Sequence, residues 1–418
     1  MTYEESIAYI HKIASLGSRP GLSRVRALCR RLGDPQDALR CIHITGTNGK
    51  GSTAAYLTAI LQSAGYRVGT YTSPYVLRFN ERIAIDGQPI PDERLAEATT
   101  LVKAAADKMK DPPTEFELIT AVAFLVFKEE KCDAVVLEVG MGGRYDATNL
   151  IKDPLCAVIT GVALDHENYL GKTLAAIAHE KAGIIKPGRP LVCADLPKEA
   201  EDVVFAEARR LRAPRCSVDP ACVRVRAHTL DGLAVEIGET LYHTSLVGAY
   251  QEKNLALAVK VAEVLNERGD LSIPQDAIQS GVAAATWRAR FEILQKEPLV
   301  IFDGGHNPDG VRAAADTLKA LEIPKVHLLT GVLADKDYTQ MADIISPWVG
   351  RVFTVSVDNP RRLPADEIAA LYRARGKDAT AFESVAAAKA AAKAAAGSDG
   401  VPLLILGSLY LYKDIAEE

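Results

Sequence analysis

A glycine-rich stretch with one lysine and several hydroxyl side chains occupies residues 45–53, with the sequence Thr-Gly-Thr-Asn-Gly-Lys-Gly-Ser-Thr. Glycine loses more backbone entropy on folding than any other residue, so this density indicates a backbone that must approach something closely. Backbone N–H groups and the positive end of a helix dipole favour phosphate, and Lys50 adds a full positive charge. Ser52 or Thr53 offers a hydroxyl to Mg²⁺. These residue types therefore favour binding of a polyphosphate.

The elements predicted around this stretch suit that chemistry. Residues 39–45 are apolar and β-branched and predict a short strand, and the sequence from Ser52 onward predicts a helix. The buried face of that helix is predicted to carry Tyr56, Leu57, Ile60 and Leu61. The common pattern Gly-x-x-x-x-Gly-Lys-[Ser/Thr] would place Gly at 44 and a hydroxyl at 51, where the chain has Ile44 and Gly51. The alternative is a glycine turn between strand and helix that carries a surface lysine.

Further polar side chains follow other predicted strands. Glu138 ends one apolar run, Asp165 and His166 follow the next, and Asp303 and His306 follow a run in the second half of the chain. Ligands of open parallel sheets bind beyond the carboxyl ends of the strands, so these groups are candidates for one cleft with the glycine loop. Glu138 can hold Mg²⁺ directly or through water. The alternatives are a carboxylate that meets solvent at a strand end and histidines with structural hydrogen bonds.

Composition limits the class of protein. At 418 residues the chain is too long for one core and predicts two domains. A formal net charge of −5 gives no indication of binding to nucleic acid or to an anionic membrane surface. No apolar run approaches the length of a membrane span. The N-terminal residues lack a charged-then-apolar leader, and the seven cysteines form no C-x-x-C pair, which favours reduced thiols in a cytoplasmic protein. No G-x-G-x-x-G occurs, so a dinucleotide cofactor is not indicated.

Short apolar runs alternate with helical stretches, which predicts parallel sheets covered on both faces. The predicted strands are 134–139, 157–160, 190–193, 299–303, 326–332, 352–357 and 402–406. Residues 220–247 have short alternating runs that predict a small antiparallel patch. The alanine-rich segment 386–396 predicts a helix that ends at Gly397.

The predicted fold class is α/β with two domains. Residues 1–290 would form an N-terminal P-loop ATPase-like parallel sheet together with the antiparallel patch. The basic, polar sequence that follows Thr286 marks the boundary, with residues 291–297 as a linker. Residues 298–418 would form a C-terminal Rossmann-like α/β domain.

Ordered motifs along nearly the whole chain carry a family resemblance. They lie at 21–36, 43–53, 72–74, 79–83, 138–149, 165–166, 179–186, 251–254, 303–308 and 407–410. Together they resemble the folylpolyglutamate synthase/dihydrofolate synthase family of the Mur ligase superfamily, which carries the Gly-Thr-Asn-Gly-Lys-Gly-Ser form of the loop. The resemblance implies an ATP-dependent amide ligase that phosphorylates a carboxylate and then joins L-glutamate to it. The implied partners are ATP, a folate or pteroate, L-glutamate and Mg²⁺, and we expect a monomer.

The resemblance also implies residue roles, carried over motif by motif. Nucleotide contacts fall on Thr47, Asn48, Gly49, Lys50, Gly51, Ser52, Asn254, Arg290 and Asp303. Metal ligands fall on Ser52, Ser73, Glu138 and His166, and catalytic roles on Lys50, His166, Lys181 and His306. Lys181 matches the family's carbamylated lysine. Phe116 and Asp146 resemble pterin-side contacts, and His306 and Ser408 resemble the lining of the glutamate site.

The chain departs from the family pattern at three places. Tyr75 and Tyr250 stand where histidine is frequent, and Trp287-Arg288-Ala289-Arg290 replaces Trp-Pro-Gly-Arg, which affects the assignment of Arg290 and stiffens the backbone. A nucleotide-binding module without ligase chemistry, or a Mur-type ligase for another acceptor such as a cell-wall nucleotide-sugar peptide, are the alternatives. The motifs at 79–83 and 143–149 favour folate over the latter. Whether the first glutamylation, the extension of the tail or both take place is not decided by these residues.

Overall fold

The computed structural model describes residues 1–14, 17 and 19–416, which divide into two compact units. The first unit comprises residues 1–223 and 253–285, and the second comprises residues 224–252 and 286–418. Each unit is therefore built from two separate pieces of chain.

Fifteen α-helices occur in the described residues. They are α1 Tyr3–Ala14, α2 Ser23–Arg31, α3 Lys50–Ser63, α4 Asp92–Ala106, α5 Glu115–Glu129, α6 Glu167–Leu170, α7 Leu174–Ala182, α8 Lys198–Arg210, α9 Gln251–Glu267, α10 Gln275–Ala284, α11 Pro308–Ala320, α12 Tyr338–Ile345, α13 Ala365–Arg373, α14 Val385–Asp399 and α15 Tyr412–Ala416.

Seventeen strands occur in the same described part of the chain. They are β1 Cys41–Thr45, β2 Val68–Tyr71, β3 Ile83–Ile85, β4 Gln88–Pro89, β5 Ala134–Glu138, β6 Cys156–Ile159, β7 Leu191–Cys193, β8 Arg215–Ser217, β9 Val223–Thr229, β10 Gly232–Ile237, β11 Thr240–Thr244, β12 Glu292–Lys296, β13 Leu299–Asp303, β14 Val326–Thr330, β15 Val349–Thr354, β16 Asp378–Ala381 and β17 Leu403–Leu406.

The first unit contains an eight-stranded sheet in the order β4-β3-β2-β5-β1-β6-β7-β8. β1 lies between β5 and β6 and pairs with both in parallel, so the carboxyl ends of these three strands reach the same edge. All five residues of β1 and of β5 are buried, which explains why both strands are mainly apolar; the polar exceptions are His43, Thr45 and Glu138. Only β3 and β4, at one end of the sheet, run antiparallel to their neighbours.

The helix that follows β1 is buried on most of its circumference. Residues 52–58 of α3 are all buried, where the sequence pattern predicted a single buried face. One covering element is α10, whose Gly281 lies so close to α3 that a Cβ there would collide with the backbone of Ile60. The first unit thus fixes α3, and with it the glycine loop at its N-terminus, by packing from two sides.

The second unit has a six-stranded sheet in the order β12-β13-β17-β14-β15-β16, parallel except for β12. β13 and β17 pair so that Asp303 lies opposite Leu406, which brings the loops after these strands side by side. The α/β class and the two parallel sheets predicted from sequence are confirmed. A separate antiparallel sheet, β11-β10-β9, is the predicted patch.

Three details differ from the sequence-based expectations. Residues 291–297, predicted as a linker, contain β12, which pairs antiparallel with β13. The antiparallel patch was assigned to the N-terminal domain, whereas residues 224–252 cluster with the second unit. The alanine-rich helix passes Gly397 and ends at Gly400, because Gly400 has the left-handed conformation of a helix C-cap (φ 64°).

Replacing Gly281 with alanine tests how closely α10 must approach α3. The added methyl group has no room beside the Ile60 backbone, so we expect Gly281→Ala to lower the free energy of unfolding by about 1–3 kcal/mol despite alanine's higher helix propensity. Urea unfolding followed by circular dichroism measures the change. Ser280→Ala, on the exposed face of the same helix, is the matched control and should stay within about 0.5 kcal/mol of the wild type. Equal stability of the two variants would contradict the close packing.

Candidate functional site

The glycine loop connects β1 to α3 and is closed by its own lysine. Gly49 has the left-handed conformation (φ 86°) and is the N-cap residue of α3. Lys50 Nζ donates hydrogen bonds to the carbonyl oxygens of Gly46 at 3.0 Å and Thr47 at 3.1 Å. The ammonium group therefore lies over the loop, where the backbone N–H groups of a helix N-terminus also favour negative charge.

Residues that follow β6 support the loop from one side. Thr160 Oγ1 donates to the Asn48 carbonyl at 2.6 Å, and Thr47 N–H donates to the Gly161 carbonyl at 3.0 Å. A Cβ at position 46 would collide with the Thr160 hydroxyl, so only glycine fits there. Thr160 belongs to no motif that predicts a site; the signal for it in the sequence is its position at the end of the predicted strand 157–160.

Asn254, on α9, lies against the same loop. Its side-chain oxygen occupies the space that a Cβ at Gly49 would require. The predicted nucleotide contacts at 47–52 and Asn254 are therefore brought together within the first unit.

Glu138 and Ser73 meet at the other side of β1. Glu138 ends β5, pairs in register with Ile44, and is only 3% exposed. The backbone N–H of Ser73 donates to Glu138 Oε2 at 3.3 Å. Ser52 is 2% exposed in the first turn of α3. The structure thus places two of the predicted metal ligands, Glu138 and Ser73, in contact. The third, Ser52, lies in the helix that follows β1 and the glycine loop.

His166, the fourth predicted ligand, is an exposed residue with a left-handed backbone (φ 52°) at the start of α6. Its backbone N–H donates to Asp165 Oδ1 at 2.8 Å. Within residues 1–14, 17 and 19–416 no group of three or more His, Cys, Asp or Glu side chains is arranged to hold a metal. The first unit therefore offers mainly serine and carboxylate oxygens, the donor type that Mg²⁺ prefers.

Lys181 is buried near the end of α7, with 3% of its surface exposed. Burial lowers its pKa to about 7; the charge of Lys50 lowers the pKa further, and the charge of Asp165 opposes the shift. The charges of Lys50 and Asp165 are thus close enough to Lys181 to shift its pKa. A lysine in this environment has a large neutral fraction at physiological pH, and neutral amines are nucleophiles.

The loop after Glu138 is held by its own carboxylate. Asp146 accepts hydrogen bonds from the N–H groups of Met141 and Thr148, both at 3.0 Å, and from the Thr148 hydroxyl at 2.5 Å. Burial raises the pKa of Asp146, and these hydrogen bonds oppose the rise. The Thr148 hydroxyl also bonds to buried His43, whose pKa burial lowers to about 3. Asp146, predicted as a substrate contact, thus has both carboxylate oxygens engaged within its loop.

Phe116 is half-buried and its ring lies on the backbone of Gly140, where a Cβ would collide with it. Since Gly140 is two residues beyond Glu138, this predicted pterin-side residue lies next to the predicted metal ligands. Its neighbour Glu117 caps α5 together with Thr114 and forms a buried ion pair with Arg24 at 3.0 Å. These contacts fix the N-terminus of α5 and with it the Phe116 ring.

The second unit has its own buried carboxylate. Asp303, at the end of β13, accepts hydrogen bonds from Tyr250 Oη at 2.7 Å and from the N–H groups of Phe291 at 2.9 Å and Gly305 at 2.7 Å. Burial raises the pKa of Asp303, and the charge of Arg290 and these bonds oppose the rise. Tyr250, one of the departures from the family pattern, therefore holds Asp303 through its hydroxyl.

Arg290 lies between two residues with left-handed backbones, Ala289 (φ 58°) and Phe291 (φ 48°). The Ala289 carbonyl accepts hydrogen bonds from Arg290 Nη1 at 3.0 Å and from the Gly304 N–H at 2.9 Å. A glycine at position 289 would adopt this conformation without strain. The backbone conformations of Ala289 and Phe291 thus place the Arg290 side chain against the loop that follows Asp303.

The remaining two predicted residues lie on the neighbouring loops of the second sheet. His306 Nδ1 is 3.1 Å from the Gly304 carbonyl oxygen. Ser408 is 3% exposed and caps the short helix at 409–411, two residues beyond β17. Because β17 pairs with β13, the loops that carry Asp303, His306 and Ser408 are neighbours. The second unit thus contains Arg290, Asp303, His306 and Ser408, and the first unit contains the loop, its metal-ligand candidates and Lys181.

Two domain families match the chain. Residues 44–262 match the Mur ligase middle domain, and residues 289–409 match the Mur ligase glutamate ligase domain. Folylpolyglutamate synthase from Lacticaseibacillus casei is 38% identical over 98% of this chain and 97% of its own. Dihydrofolate synthase/folylpolyglutamate synthase from Bacillus subtilis is 40% identical over 88% of each. A crystal structure of Mycobacterium tuberculosis folylpolyglutamate synthase complexed with ADP and AMPPCP has a TM-score of 0.89 at 30% identity, covering 98% of this chain and 97% of the other.

These matches and the two-unit fold show that the chain belongs to the Mur ligases. Within that class it is a member of the folylpolyglutamate synthase/dihydrofolate synthase family, and hence an ATP-dependent glutamate ligase that acts on small molecules. In the part of the chain that the structure describes, no helix has the length and apolar character needed to cross a membrane.

The lowered pKa of Lys181 makes stability depend on pH. Between about pH 7 and 10 the unfolded chain binds a proton at this lysine that the native state does not bind, so the free energy of unfolding rises with pH in that window. We expect the wild type to gain stability relative to Lys181→Met by up to about 1.4 kcal/mol per pH unit. Denaturant titrations at several pH values in CO₂-free buffer measure the difference. If the free energies of unfolding of the two proteins changed equally with pH, the lowered pKa of Lys181 would be contradicted.

Proposed function

We propose that the chain joins L-glutamate to dihydropteroate, to a reduced folate or to both, with ATP hydrolysed to ADP and phosphate. The observation that carries this proposal is the position of the Lys50 loop and of Glu138 at the carboxyl ends of adjacent parallel strands. A phosphate site directly beside a buried carboxylate suits transfer of a phosphoryl group to an acid. The names of the relatives from L. casei and B. subtilis support folate as the acceptor class.

In the first step the carboxylate of the acceptor attacks the γ-phosphorus of ATP. A P–O bond to the acceptor forms as the bond to the leaving ADP breaks. This activation is needed because a free carboxylate is a poor acyl donor at neutral pH. Lys50 and the loop N–H groups stabilise the charge on the transferring phosphoryl group. In the second step the neutral amine of glutamate attacks the acyl carbon, a C–N bond forms, phosphate leaves and the amine loses a proton.

Magnesium fits the donor atoms present in the first unit. Ser52, Ser73 and Glu138 would supply oxygen ligands, and the hydrogen bond from the Ser73 backbone N–H helps to hold the Glu138 carboxylate. His166 is proposed as a further ligand. When bound, the metal would neutralise phosphate charge. Phe116 would line the pterin side of the acceptor site, and Asp146 would act through the shape of its loop.

The residues proposed for glutamate, His306 and Ser408, lie in the second unit on loops beside Asp303. Arg290 and Asp303, whose side chains are fixed by Ala289, Tyr250 and neighbouring N–H groups, are proposed to contact the nucleotide. Each unit thus contributes different groups to the proposed reaction.

We further propose that Lys181 is carbamylated in the active enzyme. A lysine with a pKa near 7 has the neutral amine that attacks CO₂: an N–C bond forms and the nitrogen loses a proton to solvent. The resulting carbamate is an anion that is favoured beside Lys50. With ¹³C-bicarbonate we expect a carbamate signal near neutral pH in the wild-type ¹³C spectrum that is missing in Lys181→Arg. The same signal in that variant would assign the carbamate to another amine and contradict this role.

The reaction itself is tested with ATP, Mg²⁺, L-glutamate and either dihydropteroate or tetrahydrofolate. We expect a product heavier by one glutamyl unit and phosphate release that requires all substrates, and running both acceptors in parallel identifies which of them is used. Lys50→Ala should lower kcat at least ~10²-fold, as expected for loss of a preorganised charge in the transition state.

Two outcomes would overturn these assignments. Tight nucleotide binding with no glutamylated product from either acceptor would favour a nucleotide-binding module. A Lys50→Ala variant with near-normal kcat would contradict the role assigned to Lys50 without contradicting the proposed reaction.

A further inference from the structure

Two polar side chains lie in the interior of β1, a central strand of the sheet in the first unit. His43 and Thr45 have 0% of their surface exposed, whereas the remaining residues of the strand are apolar. Side chains two residues apart in a strand point to the same face of the sheet, so both polar groups face the same neighbour. Burial of a polar group is unfavourable unless a hydrogen bond compensates for it, so the partners on that face indicate what these side chains do.

Both side chains bond to the loop that follows Glu138, residues 139–148. Thr45 Oγ1 donates to the Gly142 carbonyl at 2.6 Å, and His43 Nε2 lies 2.9 Å from Thr148 Oγ1. These two contacts hold the loop near its beginning and at its end. The loop after Glu138 is thereby tied to β1, which continues directly into the glycine loop.

The direction of the His43 hydrogen bond follows from the group beyond it. The Thr148 hydroxyl has one hydrogen, which it donates to Asp146 Oδ1 at 2.5 Å. It therefore accepts from His43, whose Nε2 carries the proton. Burial lowers the pKa of His43 to about 3, and the charge of Lys186 contributes to the shift, so the ring is neutral. The result is a chain of donors, from His43 through Thr148 to Asp146, that ends on the carboxylate which shapes the loop.

The loop after Glu138 also contacts other residues of the first unit's site. The Phe116 ring occupies the space that a Cβ at Gly140 would require. The carbonyl oxygens of Glu180 and Lys181 lie 2.9 and 3.1 Å from the position of a Cβ at Gly143. A displacement of the loop would therefore change the surroundings of the Phe116 ring and of the helix end that carries the buried lysine.

We propose that His43 and Thr45 are positioning residues that hold the loop after Glu138 in a fixed place relative to the glycine loop. This inference rests on the proposed function, in which the loop after Glu138 borders the acceptor. Because β1 ends in the glycine loop, one strand positions both the phosphate groups of ATP and the loop beside the acceptor. The acceptor carboxylate is thereby aligned with the γ-phosphorus, and misplacement of reacting atoms by about 1 Å lowers a rate by about 10²-fold. Neither side chain contacts a substrate in this role.

The test measures ligation by full-length variants with ATP, Mg²⁺, L-glutamate and the acceptor that the wild type uses. Thr45→Val keeps the shape of the side chain and removes its hydroxyl, and His43→Leu removes the ring donor. In each variant we expect kcat/KM for the acceptor to fall at least ~10-fold. The Kd of AMPPCP, measured by titration calorimetry with Mg²⁺, should stay within about 2-fold of wild type, because the bonds that hold the glycine loop itself are retained.

Conservative replacements separate the hydrogen bonds from side-chain packing. Thr45→Ser retains a hydroxyl, and His43→Gln places an amide N–H near the position of Nε2, so each should recover kcat/KM to within about 3-fold of wild type. In a Thr148→Val background, His43→Leu should cause less than about 2-fold further loss, because the hydrogen bond that it removes is already absent.

Thr354→Val is the matched control for Thr45→Val. Thr354 is a fully buried threonine at the end of β15, in the second unit, and its hydroxyl donates to the Ala365 carbonyl at 2.8 Å. The control should lose stability as Thr45→Val does and keep the wild-type kcat/KM. Melting temperatures identify a variant that does not fold; if His43→Leu is such a variant, the comparison of Thr45→Val with Thr45→Ser decides.

The inference is overturned if folded Thr45→Val and His43→Leu keep the wild-type kcat/KM, or if Thr354→Val loses as much of it as they do. A loss that Thr45→Ser and His43→Gln do not recover would assign the effect to packing and overturn the inference as well. Failure of the proposed function gives a different result, since the wild type itself would then form no glutamylated product.

Discussion

A phosphate chain needs N–H donors, a cation and metal-binding oxygens within a few ångströms, and one edge of a parallel sheet can supply all three. β1 is central to that arrangement because it lies between β5 and β6. Glu138 therefore ends beside one side of the glycine loop, and the residues after β6 support the other side through Thr160. The absence of a side chain at Gly46 is what allows Thr160 to approach the loop so closely.

Both units use a buried carboxylate to shape the loop that follows a strand. Asp146 accepts hydrogen bonds from N–H groups of its own loop, whereas Asp303 accepts one from Gly305 in its own loop and one from Phe291, directly before β12. Burial favours the neutral acid and raises the pKa of both carboxyl groups, and the converging donors oppose that rise by favouring the anion. Such loops hold their shape through the carboxylate, so the backbone atoms they present to a ligand are already ordered.

The parts of the site that lie in one continuous motif could be predicted from sequence. The glycine loop, Glu138 and Asp303 were found because a glycine pattern or a buried strand stands directly next to them. The bond from Tyr250 to Asp303 and the support from Thr160 were not predictable, since they join residues that are far apart in the chain. Burial of Lys181 left no local signal because α7 is short and its sequence shows no special pattern around the lysine. Likewise, β12 was read as a linker because its polar residues pair only on one side, at the end of a sheet.

The discontinuous path of the chain has a consequence for the order in which the protein is assembled during synthesis. The underside of α3 is covered by α10, yet residues 224–252, which belong to the second unit, are made before α10. A nascent chain that has reached β11 therefore still exposes apolar surface of the helix behind the phosphate loop. Residues up to 285 must leave the ribosome before the first unit can close, while the second unit also requires β17, which lies between β13 and β14 in its sheet. Transiently exposed apolar surface of this kind is what chaperones bind, and along this chain it stays uncovered from the synthesis of α3 until residues up to 285 have been made.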